Sequence, residues 1–594
     1  MTTLPKNEDA QVREQPAVAQ PARPERRIGW PGVGQTVLSA ALLGFILHWR
    51  YGYVAGTGDH LVLSALGRHW ADPSAYANDW VIANAPQPHW FFDMVTWFGA
   101  VIGHLGAVYL AYWIVGLVVF GAATSILAKR WAPEHPWVAT VLVTVIGGIT
   151  PWWLLGTGSP MLAIALPGVL AGFLVYLALA ALLTGRYRLA GMVAVVTAIV
   201  HVQQGGVLGV LLLAVGLVEL FRSRPRRAEW WLFGGAAACF AIMFASLKAR
   251  PVAGDMNDFA QACRQLIPYH CEASSWPSSL VWQGFALVGL ALATVLYMTR
   301  ATWPVWAATL ALTALGLAIG VTVDRWDVPT LGVLAQGLNI YRLDVLLMPF
   351  AAWGLLAPIF VKQRVWVRWV SLAVVLYLTY QVLNTHSFEP VYPLVYPRGG
   401  NWIGVAAVAL VLGVLWVSLG RKFRFAIPAM GVVVAGSIFV SMWNSTAIEL
   451  KPLDPAFIPD TDIRLWGEAV QRVVPPGEQL VAHPLGPYVR MVTERGVVAD
   501  CKNGPYGGPA WHEYQARINA MGGFGQCRTL DPSGFDNLTP SQVSTLARTY
   551  QAGYLVVEVG QADDMPGLKS LGWTEVLGPV GPVENHIFKA PWAR

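Results

Sequence analysis

Residues 50–93 read RYGYVAGTGDHLVLSALGRHWADPSAYANDWVIANAPQPHWFFD. They follow an apolar run at 33–50 and yet carry Asp59, His60, Asp72, Asp79, His89 and Asp93. Two acidic clusters, Gly58-Asp59-His60 and Asn78-Asp79-Trp80, flank a short amphipathic helical stretch marked by Leu61, Leu63 and Leu66. A polar, aromatic segment directly after the first hydrophobic run reads as a loop outside a bilayer, here 51–90, and the rest of the chain is laid out from it.

Composition agrees with that frame. Of 594 residues, 55% are hydrophobic and 12% charged, with mean hydropathy +0.48, whereas soluble domains average about 25% charged. The fold class expected is a polytopic α-helical membrane protein with a soluble α/β domain at its C-terminal end. The net charge of +6 does not point to nucleic acid, because Lys and Arg gather in short blocks between apolar runs, as in loops facing an anionic leaflet. Residues 1–29 are polar, rich in Pro and basic at Arg23, Arg26 and Arg27. They have no apolar core, so a disordered cytoplasmic tail is expected there rather than a cleaved signal.

Crossing a hydrocarbon core of about 30 Å takes about 20 apolar residues. On that measure thirteen spans are expected within 30–444, at 33–50, 100–128, 137–155, 161–183, 189–204, 206–221, 230–248, 280–299, 303–323, 342–361, 367–385, 401–420 and 425–443. Even-numbered spans run into basic blocks such as Lys129-Arg130, Arg186 with Arg188, and Arg421 with Lys422 and Arg424, which places those ends in the cytoplasm beside the N-terminus. An odd number of spans then leaves 445–594 outside. The polar run His201-Val-Gln-Gln-Gly-Gly206 is either a turn between two spans or a break lining a cavity. Cys239 lies in a span, while Cys263, Cys271, Cys501 and Cys527 fall in segments placed outside, where disulfides persist. Cys263–Cys271 and Cys501–Cys527 are the suggested pairs, although four cysteines allow three pairings and spacing does not choose among them.

From about 445 charges, Pro and Gly return. Helix-like stretches at 462–472, 511–521 and 541–551, the last opened by Thr539-Pro540, alternate with β-rich runs at 479–482, 497–499, 554–558 and 586–588. That alternation predicts an α/β domain. It carries no G-x-G-x-x-G, P-loop or H-E-x-x-H pattern, so neither nucleotide nor zinc binding is assigned to it.

Ionisable residues at a membrane boundary usually face a cavity or a partner. Here they converge on the outer side, with Asp59 and Asp79 in loop 1, Arg264 and His270 after the seventh span, and Asp324, Arg325 and Asp327 ahead of Arg342 and Asp344.

This layout resembles the bacterial GT-C superfamily of polyprenyl-phosphate-dependent glycosyltransferases. GTGDHLVL, DPSAYANDW, CRQLIPYHCEASSW and IYRLD are similar to a branch with a Gly-Asp pair opening the first loop and an Arg-x-x-x-Pro-x-His segment in a middle one. Here those motifs are Gly58-Asp59 and Arg264 through Pro268 to His270. The resemblance implies transfer of a sugar from a polyprenyl-phosphate donor to a glycan, lipid or protein acceptor at the outer face of a bacterial plasma membrane. It also implies a carboxylate that takes the acceptor's proton and cations that meet the departing phosphate. Asp59 is the expected base. Asp79 would be a second carboxylate, orienting the acceptor or helping to hold a divalent ion such as Mg or Mn. His60, His201, Arg264, His270, Arg325 and Arg342 are the candidates for substrate and phosphate, and Lys502, Tyr506, Trp511 and Tyr514 for the acceptor. In the family the acidic pair is usually adjacent or nearly so, whereas here Asp59 is followed by His60. The rival readings are a transporter or flippase using His201, Gln203 and Gln204 as its polar site, and a non-catalytic scaffold displaying 445–594. Charges at the outer boundary and the lack of an internal repeat favour the enzyme.

Overall fold

The computed structural model describes residues 32–84, 89–149, 163–222, 229–249, 256–266, 303–326, 345–360, 453–505 and 508–593, together with 289, 291, 294 and 343. The spans expected at 367–385, 401–420 and 425–443, and most of that at 280–299, lie outside them.

Apolar runs become helices because only there can a backbone shielded from water satisfy itself locally. After α1 (Val33–Tyr51), loop 1 holds the short helices α2 (His60–Leu63), α3 (Ala65–Ala71) and α4 (Trp80–Asn84). Then come α5 (Trp90–Val101), α6 (Leu105–Trp131), α7 (Pro136–Ile149), α8 (Pro167–Leu183), α9 (Tyr187–Val200), α10 (Val202–Arg222) and α11 (Trp230–Ala249). A polar helix, α12 (Met256–Leu266), precedes two further apolar ones at Trp303–Trp326 and Met348–Phe360. Leu105–Trp131 and Val202–Phe221 are long and apolar enough to cross a membrane, and several of the others are shorter apolar helices.

Several boundaries differ from expectation, among them the spans expected from 161 and 342, whose helices start at Pro167 and Met348. The span expected at 100–128 starts at Leu105, because the chain turns over 102–104 with Gly103 at a φ of 70°. The polar run at 201–206 is mostly helical, and the break is confined to His201, at φ −150° and ψ 99°. Gly205 makes this sharp reversal feasible, since a Cβ there would stand 2.1 Å from the Ala198 Cα.

Small residues and polar contacts set the helix packing, as expected where lipid gives little hydrophobic drive between helices. Gly121 of α6 meets the Thr36 carbonyl of α1, and Gly191 of α9 faces the Trp231 carbonyl of α11. Ser39 and Thr144 share a hydrogen bond of 2.7 Å between α1 and α7, and Trp353 Nε1 donates to the Tyr176 hydroxyl at 2.8 Å. On the outer faces, Val210, Leu213, Leu217 and Leu220 form an exposed stripe along α10, and Ile114, Val115 and Val118 another on α6. Water does not favour such faces.

The bundle has two chemically distinct ends. At one, the Gly32 N–H donates to Ser125 Oγ near Lys129, and Arg188 lies over the Trp231 ring. At the other, loop 1 meets the 163–166 segment through a Val54–Ile164 bridge and the linker to the C-terminal domain through Ile458 N–H to Ala55 carbonyl, 3.0 Å.

That C-terminal domain is built on a five-stranded sheet in the order β2-β1-β3-β5-β4. β1 (Gln479–Val481), β2 (Gly496–Val497) and β3 (Tyr554–Val557) are parallel, β5 (His586–Lys589) pairs antiparallel with β3, and β4 (Thr574–Leu577) pairs antiparallel with β5 at the edge. Strand β4, with a burial pattern that does not alternate, is absent from the strands expected from the sequence. The helix Pro540–Thr549 opens with Thr539 and Gln542 capping one another, as its Thr-Pro start suggests.

Candidate active site

Gly56 and Gly58, both at positive φ, turn the chain so that the Asp59 backbone carbonyl accepts from Val62 and Leu63 at the start of α2. The Asp59 carboxylate is left half-exposed, 3.2 Å from Lys502 Nζ of the C-terminal domain. Beneath it His60 is fully buried, its Nδ1 accepting from the Gly56 N–H at 3.0 Å. The proton therefore sits on Nε2, which donates to the Ala165 carbonyl at 2.6 Å. Burial holds the imidazole's pKa down at about 4, against the smaller upward pull of the Ala165 carbonyl. Both ring nitrogens are thus committed, and the expectation that His60 binds substrate is corrected to a neutral wedge under the loop.

Lys502 sits on a constrained turn. Asp500 Oδ1 accepts from the backbone N–H groups of Lys502 and Asn503 at 3.0 and 2.9 Å, and Asn503 Nδ2 also donates to it. Cys501 is disulfide-bonded to Cys527, the suggested pair, and the Cys501 N–H donates to the Pro484 carbonyl at 2.8 Å. The Tyr514 hydroxyl donates to the Asp500 carbonyl at 2.7 Å. The Cys263–Cys271 pair lies outside the described side chains, and Cys239 is a buried free thiol.

Arg490 ties this turn to loop 1. Its Nη1 meets Asp500 Oδ2, and its Nε donates to Asp79 Oδ2 at 2.6 Å. Asp79 also accepts from the N–H groups of Ile82 and Val497. Burial would lower the Arg490 pKa, but Asp500 and Asp79 outweigh it and the net shift is upward. Asp79 has no exposed side-chain surface, so it is not available as the second carboxylate expected of it. It is a structural clasp. The sequence reading missed Arg490 and Asp500. Asp500 had a local signal, the D-x-x-N spacing of an Asx turn, whereas nothing around Arg490 marks its partner.

The helix α12 docks on the same face of the C-terminal domain. Gln261 Oε1 accepts from Trp511 Nε1 at 3.4 Å, Asp258 lies 3.5 Å from His512 Nε2, and Leu266 packs against Gly504, close in sequence to Lys502. Arg264 is exposed on the last turn of α12. Trp511 and Tyr514 are fully buried, so the expectation that they are exposed acceptor platforms is corrected, because their rings fill the core between α12 and the sheet. His201 is buried elsewhere, its ring 4.9 Å from that of His89, where Gln204 donates to the Gly168 carbonyl at 3.3 Å. Arg325 lies near the end of the Trp303–Trp326 helix, its side chain outside the description. His270, Arg342 and Tyr506 fall outside the described residues. A cleft of about 760 Å³, lined by Arg68, His104, Asp454 and Glu494 among others, opens between loop 1, the α5–α6 turn and the linker, and does not include Asp59. Arg68 there is engaged by Glu494, Tyr76 and Met491.

A divalent ion shared by Asp59 and Asp79 does not fit these residues, since the Asp79 oxygens are taken by Arg490 and backbone donors. Among the described residues, no group of three or more His, Cys, Asp or Glu stands close enough to hold an ion.

No protein-family model and no curated protein matches the chain. Among solved structures several are similar to the chain. ArnT from Cupriavidus metallidurans in the apo state is 14% identical over 94% of this chain and 97% of that one, with a TM-score of 0.46. The archaeal oligosaccharyltransferase AglB from Archaeoglobus fulgidus, solved with an inhibitory peptide and a dolichol-phosphate, is 11% identical over 94% and 74%, with a TM-score of 0.43. The arabinosyltransferase EmbB from Mycobacterium smegmatis is 15% identical over 73% of this chain and 42% of that one, with a TM-score of 0.41. At such identities and with TM-scores below 0.5, these likenesses carry nothing about activity, which has to be argued from this chain's own residues.

Proposed function

We propose that the chain is a membrane glycosyltransferase moving a sugar from a polyprenyl-phosphate donor to an extracytoplasmic acceptor, with Asp59 as general base. The observation that carries this reading is a half-exposed carboxylate in the first loop, facing a cation, at the end of the bundle away from Lys129 and Arg188. Asp59 takes the acceptor hydroxyl's proton as that oxygen bonds to the anomeric carbon. The bond from that carbon to the phosphate oxygen breaks, and its electron pair leaves with the polyprenyl phosphate. The apolar outer faces of α6 and α10 suit a bilayer that would deliver such a donor, and loop 1 with the C-terminal domain would lie outside the cytoplasm.

The test is donor turnover by the protein in nanodiscs, offered a panel of polyprenyl-phosphate sugars. Wild type should consume one of them, slow hydrolysis included, and Asp59→Asn should lose about 10²- to 10⁴-fold, the range for a positioned base. If no donor is consumed, or Asp59→Asn keeps wild-type turnover, the reading fails and a transporter or scaffold role takes its place.

A further inference from the structure

A single exposed ion pair is typically worth little to stability, yet an unusual amount of structure fixes the turn that presents Lys502. The residue before it is in a disulfide. The residue before that gives Oδ1 to the turn's N–H groups, Oδ2 to buried Arg490 and its carbonyl to buried Tyr514. Arg490 in turn reaches Asp79 of loop 1, so the turn is registered against the loop that carries Asp59. What emerges from this scaffold is one ammonium, 30% exposed, 3.2 Å from a carboxylate that is 50% exposed. A lysine is a compact charge on a long flexible stem, able to leave one anion for another nearby without moving the backbone.

We propose that Lys502 is a phosphate-binding residue which the C-terminal domain contributes to the loop 1 site: it neutralises Asp59 while the site is empty and passes to the phosphate of the polyprenyl-phosphate when the lipid enters. The proposal rests on the function inferred above. Donor entry then does two things at once, since the phosphate gains a charge-assisted partner and Asp59 is released to accept a proton. During transfer the ammonium stays with the departing phosphate, whose negative charge grows as the bond to the sugar breaks. No proton leaves Lys502.

The exchange makes the two partners behave oppositely, which a merely structural pair would not do. The measurement is the affinity of full-length protein in nanodiscs for a polyprenyl monophosphate, for wild type, Lys502→Met, Lys502→Arg and Asp59→Asn. Losing a charged hydrogen bond should weaken binding about tenfold in Lys502→Met. Lys502→Arg should bind nearly as wild type, and Asp59→Asn should bind as tightly or more tightly, because its lysine is no longer occupied. Thermal unfolding run alongside should show little change, as a partly exposed ion pair adds little to stability. Wild-type affinity in Lys502→Met overturns the proposal, as does an equal loss in Lys502→Met and Asp59→Asn. Inorganic phosphate competing as well as the lipid would also overturn it, because the site would then take the free ion. Its fate is separable from that of the functional reading. Lipid-phosphate binding through Lys502 without donor turnover sinks only the glycosyltransferase, while Asp59-dependent turnover with unaltered binding in Lys502→Met sinks only the role of the lysine.

Discussion

His60 must stay neutral for loop 1 to remain seated, because a charged imidazole would lose both its acceptor role at Nδ1 and its dry pocket beside Phe92 and Tyr109. Its pKa is about 4 in the folded chain, against about 6.5 when exposed. The unfolded state therefore binds more protons between those values, and stability rises with pH there. The contribution is complete above about pH 6.5 and is lost as pH falls toward 4, to a total of about 3 kcal/mol. The melting temperature should thus fall between pH 7 and pH 5, and a His60→Gln variant should have a lower melting temperature at pH 7 but a flatter slope. An equal slope in both would refute the wedge. None of this was legible in the sequence, where His60 looks like the polar companion of Asp59. The partner that consumes it, the carbonyl of Ala165, is 105 positions away and leaves no local trace. The place of Asp59 at the opening of α2 was legible because its signal is local, a glycine turn followed by an acid just after a hydrophobic run.

Among the elements, the turn that carries Lys502 depends on its covalent staple. The Cys501–Cys527 link closes a sequence separation of 26 residues, and removing a native bridge of that sort costs about 2–5 kcal/mol. Cys501→Ala/Cys527→Ala should lower the melting temperature of the C-terminal domain and weaken donor use while leaving the bundle helices folded, as checked by differential scanning calorimetry and limited proteolysis. A variant with unchanged melting and turnover would show that the turn stands without it. Most elements follow from contiguous sequence. The helices of the bundle fall where apolar runs do, and Pro540–Thr549 begins at its Thr-Pro signal. Where the reading missed, long-range packing was responsible. The break at His201 is one residue wide because Gly205 admits Ala198, and Trp511 is buried against Tyr514 and Phe524 with α12 lying over it.

For the whole molecule, composition predicted a bundle in lipid, and the exposed apolar stripe on α10 is where that prediction can be tested. Leu213 lies near the middle of Val202–Arg222 and is 37% exposed. Placing a charge at mid-span in lipid costs about 2.5–3.5 kcal/mol on insertion scales, whereas on a watered face it is close to neutral. Leu213→Asp should therefore reduce the yield of folded protein recovered in nanodiscs and its melting temperature, and a neutral outcome would put that face in water. The relation between the bundle and its C-terminal domain was the least legible part. The contacts joining them, Asp79 with Arg490 and Asp59 with Lys502, connect residues whose hydrophobic pattern says nothing about one another.

Arg490 follows Asp79 by 411 positions, and the ribosome makes the acid first. Through most of its synthesis the chain holds loop 1 with Asp79 and Asp59 lacking Arg490 and Lys502. A nascent chain halted before residue 490 carries Asp59 but has not assembled the surroundings it has in the whole chain. On the proposed function, competence to handle a reactive donor would be deferred until the last quarter of the polypeptide has been made and has met loop 1.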